Sequence, residues 1–441
     1  MRGTNPASGS HPIPGRGTGR SARPGSRRPR RGPHSRSPLR RGPYSRRAVT
    51  LAGATALATA ALALMPVDHA GASVMSGPCA VVPGPGFDEG PPGPGFVRPQ
   101  GDRKAVMIMV DFPDLPARGS PSRRASFFSD FTDDYLAQAS HGRYRLDLEP
   151  TSGWVRMPRA WASYGIGRGV PTATMRAYVQ DALDAAERRG TDFTGTEMVY
   201  VVADDNVPAP PTVSQANTFT GLRAGQGLTG TSIRGAALVF GRSQDAAVWQ
   251  RGNFVHEANH LYGLPDLYDT GEDASVRHAG GWDTMSMAGI SDLMGWHKWK
   301  FGWLDTDQVG CVSSPGTSEH ELRPVASPGG GSIAVVRTGP SRAVVAEART
   351  RTGLDRGICA EGVLLYTVDS RVPTGSGPVR VVDATPRSGG GPACSGRDPG
   401  ELAELADAPF RPGGSHTFPD GVHVRVTGVT ADGYAVRVTR R

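Results

Sequence analysis

The run that most constrains this chain reads H-E-x-x-H-x-x-G-x-x-D and begins at His256. On a helix, residues four apart lie on one face, so His256 and His260 would direct their imidazoles at one point. Two neutral imidazoles at this spacing form half of a tetrahedral zinc site. Glu257 is offset by one position, so it would stand beside the metal without ligating it. Gly263 would let the backbone leave the helix, and the turned chain would return Asp266 as a third, oxygen ligand.

The last residues of this run distinguish a metal site from the alternative, an ordinary helix with two partly exposed histidines. The motif H-E-x-x-H is only suggestive by itself, but a glycine and an aspartate at these offsets favour the metal site. With three protein ligands, the fourth position of a tetrahedral zinc would stay open for water, which is typical of a catalytic site. We therefore predict Zn²⁺ as the cofactor, with His256, His260 and Asp266 as ligands and Glu257 as the catalytic residue.

Three blocks that follow the motif resemble one family. Residues 263–269 read G-L-P-D-L-Y-D, residues 281–286 read G-W-D-T-M-S, and residues 300–304 read K-F-G-W-L. With the motif, they resemble the immune-inhibitor-A-like secreted zinc metallopeptidases. The resemblance covers roughly residues 100 to 370 and continues through the blocks 105–114, 140–144, 347–349 and 362–366.

This resemblance implies a secreted zinc-dependent endopeptidase of metzincin type. Such an enzyme would hydrolyse peptide bonds of extracellular proteins through a zinc-activated water, with Glu257 as the general base and the three ligands as assigned above. Met285 would lie in the turn beneath the metal. The chain departs from the family at Asn259, where a glycine is expected, so an amide side chain must find room and a partner beside the ligands.

Two other functions stay open for this sequence. One is a catalytically inactive zincin that acts as an extracellular binding module, and the other is a zinc hydrolase of non-protein substrates. The intact Glu257 and ligand set argue against the first, and no G-x-S-x-G element or Walker lysine is present to indicate a different enzyme class. A second group that would stabilise the developing oxyanion is not ranked by the sequence, and the candidates are Tyr268, His278 and His297.

The order of the predicted elements favours an α+β fold. Before the motif, the pattern predicts helices at 121–138 and 172–189 and strands at 105–110, 143–149, 154–157, 198–202 and 236–240. This order suits a zincin-like catalytic domain over residues 103–315, with a mixed twisted sheet and the motif helix, which begins near residue 245. A β-sandwich-like C-terminal domain is predicted over 316–441, with strands at 332–337, 343–348, 363–368, 379–382, 422–426 and 434–438.

Weaker signals lie between these elements. Residues 204–235, rich in Pro, Gly, Thr and Asn, predict a long loop that either borders the substrate cleft or is a plain surface excursion. The G-x-G-x-G cluster at 165–169 lacks the spacing and the strand–helix context of a nucleotide-binding loop. A Ca²⁺ site is an open alternative to solvated loop acids, which are favoured, at Asp269, Glu272 and Asp273.

The beginning of the chain carries export signals. Residues 45–72 combine a paired arginine, a short apolar core and an A-G-A site, which predicts a signal peptide of the twin-arginine type cleaved after Ala72. A signal anchor is the alternative. Residues 1–44 predict a disordered Arg-rich leader, and residues 73–102 a Pro/Gly-rich linker or wrapped arm. We expect a secreted, extracellular protein with no stable membrane association after signal cleavage.

The formal net charge of +8 comes from the leader. Residues 1–72 hold 13 of the 49 basic residues and one of the 41 acidic ones, which leaves 36 basic against 40 acidic residues in the remainder. A mildly acidic mature chain argues against a nucleic-acid partner. We expect protein or peptide substrates as partners, bound in part along an edge strand beside the motif helix. The sequence carries no signal for the oligomeric state.

Four cysteines predict two disulfides in an exported chain. Sequence allows three pairings, and we favour Cys359 with Cys394, around a Gly/Pro-rich loop, and Cys79 with Cys311. A latent form in which the Cys79 thiolate coordinates zinc is a minor alternative, because no pro-segment motif surrounds that residue.

Overall fold

The computed structural model describes residues 74–225, 230–271, 275–289, 291–390 and 404–441. Within them the chain combines four α-helices with three β-sheets, so the predicted α+β class is confirmed. The predicted leader (1–44) and signal peptide (45–72) lie outside the described residues. No helix within the described residues is both long and apolar enough to cross a membrane.

A six-stranded mixed sheet forms the centre of the first half of the chain. Its order is β2-β1-β4-β6-β5, with β3 also paired to β1. Strand β5 is antiparallel to β6, whereas the remaining pairs are parallel. The strands are β1 (Gly101–Asp111), β2 (Tyr144–Pro150), β3 (Val155–Arg156), β4 (Met198–Ala203), β5 (Gln215–Ala224) and β6 (Thr231–Val239).

Both faces of this sheet are buried, which explains why β1 and β4 are continuously apolar. Side chains alternate between the faces of a strand, so Met107 and Tyr200 point into one core and Val106 and Val199 into the other. Helices α1 (Pro121–Ala139) and α3 (Ala247–Leu261) pack in the first core and α2 (Thr172–Glu187) in the second. The motif helix α3 is therefore supported by the sheet along one side.

Two further sheets make up most of the second half. The five-stranded sheet has the order β12-β11-β10-β9-β7 and the four-stranded sheet the order β13-β14-β15-β8. Their strands are β7 (Val309–Val312), β8 (Gly316–Leu322), β9 (Ile333–Arg337), β10 (Arg342–Arg349), β11 (Gly362–Asp369), β12 (Val379–Val382), β13 (Ser415–Thr417), β14 (Val422–Val429) and β15 (Tyr434–Arg440).

The five-stranded sheet has two buried faces with different partners. Val344 and Leu365 share a core with Val424 of the four-stranded sheet. On the opposite face, Tyr366 packs in the core that contains α3, and its hydroxyl accepts a hydrogen bond from the backbone N–H of Trp296. Trp296 lies on the short helix α4 (Gly295–Phe301), which the sequence pattern did not predict. The two halves of the chain are therefore joined by a continuous core.

The prediction of a loop across residues 204–235 was wrong. Prolines 208, 210 and 211 do lie in a connection, but strand β5 follows from Gln215 and β6 begins at Thr231. Much of β5 is polar and half-exposed, so its residues lack a clear apolar alternation. Its pairing with β6 decides its conformation, which is a tertiary effect that local propensity does not report.

Residues 76–100 wrap the folded body as an arm. The Cys79–Cys311 disulfide, which the sequence analysis favoured, is present. Glu89 is fully buried, and its carboxylate accepts hydrogen bonds from His297 of α4. Cys359 is also disulfide-bonded, whereas Cys394 lies outside the described residues, so the pairing between these two stays a prediction.

Candidate metal centre

Three side chains of the motif converge at the end of α3. One carboxylate oxygen of Asp266, Oδ1, lies 3.0 Å from Nε2 of His256 and 3.2 Å from Nε2 of His260. His256 and His260 occupy successive turns of the same helix face, as the four-residue spacing requires. All three ligand atoms lie within 4.8 Å of one another. The structure thus brings together the three residues that the sequence proposes as metal ligands.

Backbone carbonyls hold both rings in one orientation. Nδ1 of His256 lies 3.0 Å from the carbonyl oxygen of Thr284, and Nδ1 of His260 lies 2.7 Å from that of Leu264. A carbonyl only accepts hydrogen bonds, so each Nδ1 carries the proton. In a neutral imidazole the other nitrogen, Nε2, is then an unprotonated donor to a metal.

This arrangement places three lone-pair-bearing atoms around one point. Each bare imidazole nitrogen lies 3.0–3.2 Å from the carboxylate oxygen, and the two atoms repel each other unless a proton or a metal ion lies between them. Ligand atoms of a tetrahedral zinc are separated by about 3.3 Å, given Zn–N and Zn–O bonds of about 2.0–2.1 Å. Two histidines and a carboxylate are also a donor set that zinc takes in catalytic sites. The residues present therefore fit Zn²⁺.

Glu257 stands next to this cluster and is buried. Its Oε2 atom is enclosed, and no described residue forms a hydrogen bond with it. Burial raises the pKa of Glu257 to about 8, and the negative charge of Asp266 adds to this effect while His256 opposes it. Burial also disfavours ionisation of Asp266, but when the two rings are protonated, attraction to His260 and hydrogen bonds from both rings outweigh this effect and hold the pKa of Asp266 well below its usual value.

The chain leaves α3 at Gly263, as the motif predicts. This residue has φ +100°, a left-handed conformation that side chains with a Cβ rarely adopt. Its lack of a Cβ also makes room for the ring of Phe96, which would lie 3.1 Å from such an atom. The turned chain then carries Asp266 back toward the helix.

A loop from the second half of the chain holds Asp266 in place, which the sequence analysis missed. The backbone N–H of Asp266 donates to Oγ1 of Thr374 at 2.8 Å, and the N–H of Gly375 donates to the carbonyl of Asp266 at 3.0 Å. Both residues lie between β11 and β12, more than 100 positions from the motif. No local sequence signal marks them, because their role depends on how two distant segments meet.

Tyr268, His278 and His297 are the candidates for a second group that stabilises the oxyanion. Within the described residues, only Tyr268 lies beside the candidate metal centre. Its ring lies 6.0 Å from that of His256, and it lines the cleft. His297 is fully buried between Asp283 and Glu89, away from the cleft. His278 packs beside Gly377 and accepts a hydrogen bond from Arg380.

The other residues that the sequence singled out near the centre are Met285, Asn259 and the three acids considered for Ca²⁺. Met285 is fully buried in the core that includes α3. Asn259 is fully buried, and neither polar atom of its side chain has a hydrogen-bond partner among the described residues. Of the three acids considered for Ca²⁺, Asp269 forms an ion pair with Arg277. Glu272 and Asp273 lie outside the described residues.

The cleft around the centre consists of two adjoining cavities. The smaller, of about 190 Å³, is lined by Trp249, Val276 and Met287 on one side of Glu257. The larger, of about 490 Å³, contains all three ligand residues and is bordered by residues 215–216 at the start of β5.

The ring of Phe87, from the N-terminal arm, lines the larger cavity and lies 5.3 Å from the ring of His260. Phe96 of the same arm lies 5.4 Å from Phe87. These phenylalanines end the two copies of the repeat P-G-P-G-F, at 83–87 and 92–96. The arm thus contributes an aromatic wall to the cleft.

No known protein-family model matches this chain, and no curated protein matches it. The geometry of the site is therefore the basis for any functional conclusion.

Proposed function

We propose that this chain is a secreted zinc-dependent endopeptidase with a zincin-type catalytic region over residues 103–315 and a β-sandwich-like module over 316–441. The observation that carries the proposal is the convergence of His256, His260 and Asp266, with the carboxylate of Glu257 buried beside them. A buried carboxylate next to a three-ligand metal centre is the arrangement that metal-assisted hydrolysis requires.

His256, His260 and Asp266 would hold the metal. When bound there, zinc supplies a Lewis acid that polarises a carbonyl and lowers the pKa of water. The two histidines present Nε2 because the carbonyls of Thr284 and Leu264 bind the opposite ring nitrogens. These two hydrogen bonds orient the imidazole rings before any metal binds.

Glu257 would act as the general base. In its ionised form it would take a proton from the attacking water and later deliver it to the leaving amine. Its Oε2 has no described protein partner, and the residue lines both cavities of the cleft. Glu257 therefore borders the cleft while its side chain is shielded from bulk water.

Strand β5 and Tyr268 would position the substrate. Among the described strands β5 pairs only with β6, and residues 215–216 at its start border the larger cavity. An extended peptide would pair with this end of the strand. Backbone pairing of this kind gives affinity with few demands on sequence. Of the three candidates for the second stabilising group, Tyr268 is the one that lines the cleft, and its hydroxyl would donate to a developing oxyanion.

The test is a digest of casein and of a mixed peptide library by the full chain, secreted and purified from the medium. The parent should contain zinc, measured by mass spectrometry, and should cleave internal peptide bonds. Glu257→Gln should retain zinc but lose about 10²–10⁴-fold in rate.

A matched control is Glu187→Gln, the same substitution at the end of α2, which should cleave like the parent. Equal rates for Glu257→Gln and the parent would show that the assigned base is wrong. Stoichiometric zinc without cleavage of any peptide would favour a binding module or a non-protein substrate.

A further inference from the structure

The G-x-G-x-G cluster at 165–169 forms a loop that overhangs the cleft. Gly165 and Gly169 adopt φ values of +60° and +67°, so the backbone turns sharply on both sides of Arg168. The carbonyl of Gly167 accepts a hydrogen bond of 2.9 Å from Nε2 of Gln215, at the start of β5. The loop is thereby fixed to the strand that borders the cleft.

Arg168 projects from this loop over the point where the two cavities meet. It lines both cavities, as do His256, Glu257 and Tyr268. Its guanidinium carbon lies 5.8 Å from the centre of the Tyr268 ring. Apart from the histidines, Arg168 is the only basic side chain that lines either cavity in the described part of the chain.

Arg168 forms no ion pair with any carboxylate of the described residues. Several other arginines in this half of the chain do form ion pairs: Arg156 with Asp111, Arg159 with Asp181, Arg242 with Asp245 and Arg277 with Asp269. A guanidinium is permanently charged and presents a planar fork of donors that suits a carboxylate. Apart from its side-chain hydrogen bond with Tyr268, the guanidinium of Arg168 has donors that remain for an anionic group in the cleft.

The smaller cavity holds a second donor. Ser286 is buried and lines this cavity, and its Oγ has no hydrogen-bond partner among the described residues. A buried hydroxyl without a partner is costly, and rotation of the Ser286 side chain about its Cα–Cβ bond would turn the hydroxyl toward a carboxylate in the cavity. Met287 and Val276 provide apolar surface for the methylene groups of an entering side chain. The volume of about 190 Å³ suits one side chain.

We propose that Arg168 and Ser286 select peptide substrates with a glutamate or aspartate next to the scissile bond, whose side chain enters the smaller cavity. This inference rests on the proposed endopeptidase function and specifies its substrate class. The carboxylate binds between the guanidinium of Arg168 and the hydroxyl of Ser286, while the peptide backbone follows β5.

The experiment uses four peptides that are identical except at one position next to the cleaved bond, which is Glu, Gln, Leu or Lys. For the purified full chain, kcat/KM should be about tenfold or more higher for Glu than for Gln, as expected for one charge-assisted pair. Arg168→Gln should reduce this ratio to near one, and Arg168→Glu should reverse the preference toward Lys. Arg425→Gln, the same charge change at an exposed position of β14, should keep the parent's ratio.

A binding measurement checks the inference without turnover. Glu257→Gln should bind the Glu peptide more tightly than the Gln peptide in fluorescence anisotropy, and added Arg168→Gln should remove the difference. If the parent cleaves the Leu or Gln peptide as well as the Glu peptide, the selection of acidic residues is overturned while the endopeptidase function stands. If the parent cleaves none of the four peptides and no casein, the proposed function itself fails.

Discussion

The hydroxyl of Thr374 accepts a hydrogen bond from the backbone N–H of Asp266, across a sequence separation of 108 residues. Through this contact and the neighbouring one from Gly375, the loop between β11 and β12 fixes the segment that carries the third ligand. The second half of the chain therefore helps to shape the candidate metal centre.

Replacing Thr374 with valine should weaken metal binding. Valine keeps the shape of threonine but leaves the N–H of Asp266 without its acceptor, so the carboxylate is held less firmly. Contacts of this kind typically contribute about 10–100-fold in metal affinity. The dissociation constant for zinc should rise by a factor in this range in a competition titration with a chelator. Thr317→Val, at an exposed threonine of β8, serves as the control, and equal affinities for both variants would contradict the role of Thr374.

Removing the metal should lower thermal stability as well as activity. Zinc that binds only the folded chain stabilises it by about 4 kcal/mol when its free concentration is 1,000 times its dissociation constant. Dialysis against a chelator should therefore lower the melting temperature, and added zinc should restore it. For Asp266→Ala, the melting temperatures after chelator treatment and after addition of zinc should differ much less than they do for the parent. A parent whose melting temperature is the same with and without chelator would argue against a metal at this site.

Stability should fall as the pH rises above neutrality, because of His297. Burial disfavours the charged ring, but Asp283 and Glu89 outweigh this and raise the pKa of His297 to about 10. The charged His297 ring stabilises the folded state fully at pH values below the ordinary histidine pKa of about 6.5. This stabilisation is lost as the pH rises toward about 10, where the folded-state ring loses its proton. The free energy of unfolding should decrease by on the order of a few kcal/mol between these values.

Urea unfolding at pH 7, 8.5 and 10 measures this dependence. The buried variant His297→Gln should show a flatter dependence over the same range, whatever its absolute stability. His423→Gln, at a histidine of β14 in the four-stranded sheet, should follow the parent curve. If His297→Gln and the parent change with pH to the same extent, the buried imidazolium between Glu89 and Asp283 is not the cause.

Substituting Asn259 with alanine should stabilise the fold. Both polar atoms of this side chain are buried without a described partner, and an unsatisfied buried polar group costs about 1–3 kcal/mol. Alanine also has the higher helix propensity. The melting temperature should rise in calorimetry. Asn253→Ala, on the same helix, removes a side chain that does form a hydrogen bond, to the carbonyl of Trp249, and should not gain stability. A destabilised Asn259→Ala would indicate that the amide has a stabilising partner.

Much of the fold was predictable because its signals are local. The continuous apolar runs of β1 and β4 indicated strands with two buried faces, and both have them. The helices α1 and α2 also lie where the pattern predicted. Strand β5 was not predicted, since its polar residues form a strand only by pairing with β6. Helix α4 was missed for a similar reason: it is seven residues long, and all seven are buried by tertiary contacts.

The sequence by itself determined the local geometry, which is the arrangement of residues only a few positions apart in the chain. The spacing of His256 and His260 sets one helix face, and Gly263 permits the turn that returns Asp266, because helix periodicity and backbone sterics act within a few residues. Only the tertiary structure decided what surrounds these residues, including the aromatic wall at Phe87 and the overhanging guanidinium of Arg168. Those positions arise where distant segments pack together, and such packing depends on the shape of the whole core rather than on any local pattern.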